Sequence, residues 1–212
     1  MATRIPRLLG SLALLLVSAC GGAPLAPDGV PWHSPLGHDH PLVGRIWSPA
    51  GQRFVAPAAA VAHLARSRHV LLGEKHDNPD HHRLQAWLLG QLVASGRRPA
   101  LLLEMIDASQ QPALDAWRKT SPNDPDALAK ALKWSASGWP DFALYRAIFV
   151  AALRARLVIA PANLPRATIR KVAHEGLNAL PEAQRRALGL HLPFPDKHAA
   201  AMVSEAMASH CQ

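Results

Sequence analysis

Hydrophobic and polar positions divide the chain into three stretches. Leu8–Val17 is an uncharged apolar run preceded by Arg4 and Arg7. Residues 23–41 hold five prolines, two glycines and three histidines and show no helical or strand period, which predicts an extended linker. From residue 42 onward short apolar runs alternate with amphipathic ones. His69–Leu72 and Ala100–Leu103 read as buried strands, and Arg156–Ala160 as a third. Between them, His82–Val93 carries Leu84, Trp87, Leu88 and Leu92 at helical spacing, with Pro79 in the first turn and Ser95-Gly96 as the stop. Further helices are predicted over Gln110–Trp117, Asp126–Trp134, Phe142–Leu153, Arg166–Leu177, Pro181–Ala187 and Lys197–Ala208. Continuous apolar strands separated by helices predict an α/β fold, a mostly parallel sheet covered by helices. Three strands are few for such a sheet. The helix Lys197–Ala208 has an apolar side (Met202, Val203, Ala206, Met207) and no strand after it. The expectation is therefore a fold truncated at Gln212, whose natural continuation runs ~60–90 residues and adds at least one strand.

The apolar run at the start changes the picture of where the protein resides. A positive segment, a core too short to span a bilayer and small residues ahead of a cysteine (Val17-Ser18-Ala19-Cys20) describe a lipoprotein signal peptide. Residues 1–19 are then the signal peptide and 20–41 a lipidated, proline-rich tether, with one α/β domain over 42–212. Cys20 would carry the lipid, and with no acidic residue directly after it the expected address is the outer membrane, facing the periplasm. The other cysteine is Cys211, so an internal disulfide and a thiolate metal site are both excluded. The formal charge is +8, but the arginines are scattered and no aromatic–basic interleaving accompanies them, which argues against a nucleic-acid role. A basic surface suits anionic lipid or an acidic ligand better.

Candidate chemistry concentrates in Gly73-Glu74-Lys75-His76-Asp77-Asn78-Pro79-Asp80-His81-His82, three histidines and three carboxylates in ten residues. The segment lies at the carboxyl end of a predicted strand and the start of a helix, where ligands collect in open α/β sheets. A hydrogen-bonded turn that caps the helix is the alternative for this cluster. Glu104 and Asn163 occupy matching places after the second and third strands, and Glu104 is expected to share a cleft with Glu74. Tyr145 is the single tyrosine, flanked by Trp139, Phe142 and Phe149. It reads either as a core residue or as a phenolate ligand to ferric iron. His-Glu-x-x-His, Gly-x-Ser-x-Gly and Cys-x-x-Cys-His are all absent, which excludes a zincin helix, a serine elbow and covalent c-type haem.

The run Leu71-Leu72-Gly73-Glu74-Lys75-His76-Asp77-Asn78-Pro79-Asp80-His81-His82-Arg83-Leu84-Gln85 resembles the signature of the ChaN-like haem-binding uptake lipoproteins. That family is related to the erythromycin-esterase-like and TraB/Tiki proteins. Leu103-Glu104-Met105, Gln111…Leu114-Asp115, Gly138-Trp139 with Tyr145-Arg146-Ala147-Ile148, and Asn163-Leu164-Pro165-Arg166 extend the likeness in order from about residue 42 to 178. The resemblance implies a lipid-anchored protein of iron-regulated expression that takes part in haem or iron uptake or storage. It also implies a homodimer that completes the pocket, and a haem transporter or receptor as partner. Tyr145 would be the ligand to haem iron, assisted by His76, His81 or His82, with Glu74, Glu104, Asn163 and Arg166 around the cofactor. Lys75 departs from the small or polar residue usual there; its ammonium would meet a propionate or Glu74. The competing reading is a hydrolase, directly Glu/His-dependent or metal-dependent, in which Glu74 and His76 activate water and Glu104 shares the proton.

Overall fold

A computed structural model describes residues 25–193 and 195–210. The signal peptide, Cys20 and Cys211 lie outside the described residues. Two short strands, β1 (Ile46–Ser48) and β2 (Arg53–Val55), form an antiparallel hairpin with Trp47 opposite Phe54. Helix α1 (Pro57–Leu64) follows, then α2 (Pro79–Ala94), strand β3 (Leu101–Asp107), helices α3 (Gln111–Thr120), α4 (Pro125–Ala131) and α5 (Phe142–Arg154), and strand β4 (Ile159–Asn163). The chain continues through α6 (Arg166–Glu175), α7 (Glu182–Ala187) and α8 (Asp196–His210). No described helix is long and apolar enough to cross a membrane.

Local chemistry explains the boundaries. Asn78 caps α2 by accepting the Asp80 amide, with Pro79 at the first helical position, and Asp124-Pro125 repeats the arrangement at α4. Asp141 caps α5, and Asp107 with Gln110 forms a reciprocal capping box at the end of β3. The buried centre packs Leu103, Met105 and Ile106 of β3 and Ile159 of β4 against Leu114, Trp117, Leu128, Trp134, Tyr145, Ile148 and Phe149. Leu89 brings α2 to the same cluster, so α2 and α5 share one apolar interface.

β3 and β4 pair in parallel, with Leu101 opposite Ile159 and Leu103 opposite Pro161. Beyond that point the register shifts, and the next paired residues are Asp107 and Asn163. Pro161 has no amide to donate, which is why strand prolines sit at such irregularities. The Asn163 side chain compensates by donating to the Glu104 carbonyl at 3.2 Å.

The α/β class holds, with a small parallel sheet, and two expectations about its parts do not. His69–Leu72 is not a strand: it makes no ladder, and Leu71 is 95% exposed. Helix α2 takes up the chain just after this run, where His81 Nδ1 accepts the Lys75 amide at 2.7 Å and Gln85 Nε2 reaches the Leu72 carbonyl. The third strand begins later than its apolar run, because Arg156 in the left-handed region (φ 51°) is spent turning the chain out of α5.

The described part of the proline-rich stretch is also less free than a linker. Asp80, 1% exposed, accepts the His33 and Ser34 amides at 3.0 and 2.8 Å and pairs with His33 Nδ1 and Arg83. Arg83 in turn holds Asp28. Burial opposes ionisation of Asp80, but these partners outweigh it and hold the carboxyl well below its ordinary range. Such a depressed group stabilises the fold above the unfolded value near 4 and loses that contribution as pH falls through the folded one. Asp80→Ala should therefore cost about 2–4 kcal/mol at neutral pH in urea unfolding. It should also abolish the part of acid destabilisation that starts near pH 4; an unchanged acid profile would contradict the clamp.

Candidate functional site

Glu74 lies just ahead of α2, and its carboxylate gathers side chains from two helices. Oε1 accepts from His76 Nδ1 at 2.7 Å and from the Tyr145 hydroxyl at 3.2 Å. Oε2 is 3.2 Å from His82 Nε2, close enough for ionic attraction but not aligned as a hydrogen bond. His82 Nδ1 has no hydrogen-bond partner among the described residues. Tyr145 also approaches the His76 carbonyl, and its ring lies 4.1 Å from that of His82 and 5.1 Å from Trp134. His82 and Tyr145 are fully buried, whereas the His76 side chain is 40% exposed and meets Trp139 edge to face at 4.8 Å.

The electrostatics follow from that packing. Burial alone would raise the Glu74 carboxyl, but hydrogen bonds, from His76 first and then Gln85 and Tyr145, together with the nearness of the His82 imidazole, hold it below its usual value. Burial dominates at His82 and lowers the imidazole, opposed in part by Glu74. Burial also dominates at Tyr145, and the Glu74 carboxylate, with a smaller contribution from Glu104, lifts the phenol further. The packing thus favours a carboxylate at Glu74, a neutral imidazole at His82 and a protonated phenol at Tyr145.

Beside this array a cleft of about 270 Å³ is lined by Glu104, Asp107, Lys133, Trp139, Asn163 and Arg166, among others. Trp139 joins the two, since it walls the cleft and touches His76. Lys133 follows α4 in the left-handed region (φ 53°), at a cost of about 1 kcal/mol for a residue other than glycine. A Cβ on Gly138 (φ +82°) would stand 3.5 Å from an Arg166 guanidinium nitrogen, so the guanidinium rests against that turn.

Residues 60–212 match the model of the family described as haem-binding uptake, Tiki superfamily, ChaN. The chain belongs to this family. A solved structure of ChaN from Campylobacter jejuni with cofacially bound haem has the same fold, with a TM-score of 0.54 at 24% identity over 62% of this chain and 52% of that one. The chain thus spans about half the length of that ChaN. No curated protein matches it.

In this ChaN-family chain the sequence candidates divide into two groups and one outlier. Glu74, His76, His82 and Tyr145 converge; Glu104, Asn163 and Arg166 line the adjoining cleft. His81 is spent on the Lys75 amide and so supports the turn. Lys75 is not paired with Glu74. Glu104, which the hydrolase reading couples to Glu74, has no side-chain hydrogen bond or ion pair among the described residues, and no three His, Cys, Asp or Glu residues there are placed to hold a metal ion. Tyr145 is fully buried, and its hydroxyl is hydrogen-bonded to the Glu74 carboxylate and the His76 carbonyl. Haem is the cofactor of the family, and the donor set fits it, since ferric iron accepts phenolate and imidazole. Two contributors were not singled out from the sequence, Trp134 behind Tyr145 and Lys133 at the cleft, while Gln85, which closes the family-like run, stands beside Glu74.

Because the fold favours neutral His82, its contribution to stability is present above about pH 6.5 and is lost as pH falls toward the depressed folded value. Urea midpoints should fall below pH 6.5 in the unmodified chain and less steeply in His82→Gln. Equal slopes would show that His82 does not titrate out of the fold.

Proposed function

We propose that this protein binds haem at the Glu74–His76–Tyr145 array and the adjoining cleft, held at the cell envelope by lipid on Cys20. Its work is then to take part in haem or iron uptake or storage. Membership of a haem-binding family supports the cofactor. The observation that carries the site is the Tyr145 hydroxyl directed at the Glu74 carboxylate, with His76 between that pair and the Trp139 wall.

Haem would supply a ferric centre that accepts an oxygen or nitrogen donor, together with two propionates. This chain's own groups prepare for it. Tyr145 is the proposed iron ligand, and its proton has an acceptor in Glu74 at 3.2 Å. His76, hydrogen-bonded to the same oxygen, strengthens or relaxes that acceptor as it moves. Trp139 offers an apolar edge that excludes water. The cleft, at about 270 Å³, lies below the range common for small-molecule pockets. It therefore covers part of a porphyrin, and a second copy of the chain closes the rest. A haem transporter or receptor in the same envelope, on the outer membrane's periplasmic side, is the proposed exchange partner.

Haemin titration followed by absorption tests the reading. The unmodified protein should give saturable binding with a high-spin, phenolate-type ferric spectrum. Tyr145→Phe should lose that spectrum and weaken binding about tenfold or more, roughly 1.4 kcal/mol. His76→Ala should weaken binding less while keeping the phenolate features. Affinity no greater than that of an unrelated basic protein would refute haem binding, and an unchanged Tyr145→Phe spectrum would remove the ligand role.

A further inference from the structure

The cleft beside Trp139 is lined by two cations, Lys133 and Arg166, that form no ion pair among the described residues. Arg83, Arg118, Arg146 and Arg186 each meet a carboxylate. Neither Lys133 nor Arg166 has an ion pair or a side-chain hydrogen bond among the described residues, although both line a cleft that also contains Glu104 and Asp107. Asp107 is already committed, accepting the Ser109 amide at 2.8 Å as a cap. The Glu104 carboxylate is unpaired and acts electrostatically on Tyr145, at the proposed iron end of the site.

The backbone at Lys133 sharpens the point. α4 ends in a left-handed residue, the position where glycine is the unstrained choice. Lysine there accepts a backbone penalty and contributes what glycine lacks, a cationic side chain on a residue that lines the cleft. On another element, Arg166 opens α6 against the positive-φ glycine of the Gly138 turn. Two unpaired cations from separate elements suit a ligand with two anionic groups. A guanidinium takes a carboxylate bidentately, and an ammonium takes one as a point charge.

We propose that Lys133 and Arg166 receive the two propionates of the bound porphyrin and so set its orientation and the site's preference for a dicarboxylate. The assignment rests on the haem reading and extends it to residues that touch neither iron nor the Glu74 array.

The test compares haemin with haemin dimethyl ester, whose propionates are neutral, in absorption titrations of the unmodified chain, Lys133→Gly, Arg166→Gln and the double variant. Lys133→Gly relieves the strained backbone, so its thermal midpoint should hold or rise and loss of binding cannot be ascribed to misfolding. The unmodified protein should prefer haemin about tenfold or more. Each variant should lose haemin affinity and keep ester affinity, and the double variant should bind both alike. Discrimination that survives in the double variant, or equal losses for both porphyrins, overturns the propionate assignment alone. Failure of the unmodified chain to bind either porphyrin overturns the haem reading and this assignment with it.

Discussion

A carboxylate taken out of water destabilises a fold unless donors surround it, and Glu74 is surrounded by donors from two helices. Its two oxygens face His76, Tyr145 and the buried His82. The hydroxyl that satisfies it comes from a residue 71 positions later in the chain. The site therefore depends on α2 packing against α5, which in turn depends on the apolar cluster around Leu89, Ile148 and Phe149. Once those helices are docked, Tyr145 is buried from solvent, and the Glu74 carboxylate and the His76 carbonyl are the acceptors its hydroxyl meets.

The same constraint sets the electrostatic character of the site. A negative Glu74 makes ionisation of Tyr145 harder and makes protonation of His82 easier, but burial of the imidazole wins in the second case. The phenol is consequently kept protonated and covered, while His76 stays at the surface against Trp139. On the other side of Trp139, the cleft departs from this self-satisfied pattern, since Glu104, Lys133 and Arg166 remain without partners there among the described residues.

Much of this was legible in the residues, for identifiable reasons. The Asn78-Pro79 start of α2 and the Tyr145–Phe149 face of α5 are local signals, one of capping and one of helical period, and both survive folding intact. The density of histidine and carboxylate around Glu74 pointed to the site because isolated groups of that kind rarely cluster without mutual bonds. What failed were inferences that need a partner to be known. An apolar run such as His69–Leu72 becomes a strand only if a ladder accepts it, and here its neighbours are side chains of α2. The docking of His33 and Ser34 onto Asp80 spans 47 and 46 positions and leaves no periodic trace. Lys133 went unnoticed because a left-handed lysine is not marked by composition, whereas glycine in that place would have been. Pro161 did carry a signal, since a proline inside a parallel strand requires the break in register that β4 shows.

The central claim is that Glu74 holds a buried, protonated Tyr145, and the chain's single tyrosine lets it be read without interference. The decisive measurement is the tyrosinate absorbance of the ligand-free protein as pH is raised, in the unmodified chain and in Glu74→Gln, with folding followed in parallel. Tyr145 should resist ionisation well past the ordinary value near 10, until the fold itself gives way, and should ionise at lower pH in Glu74→Gln while that variant remains folded. Ionisation near 10 in both folded proteins would show that the phenol is neither buried nor governed by Glu74, and would contradict the account.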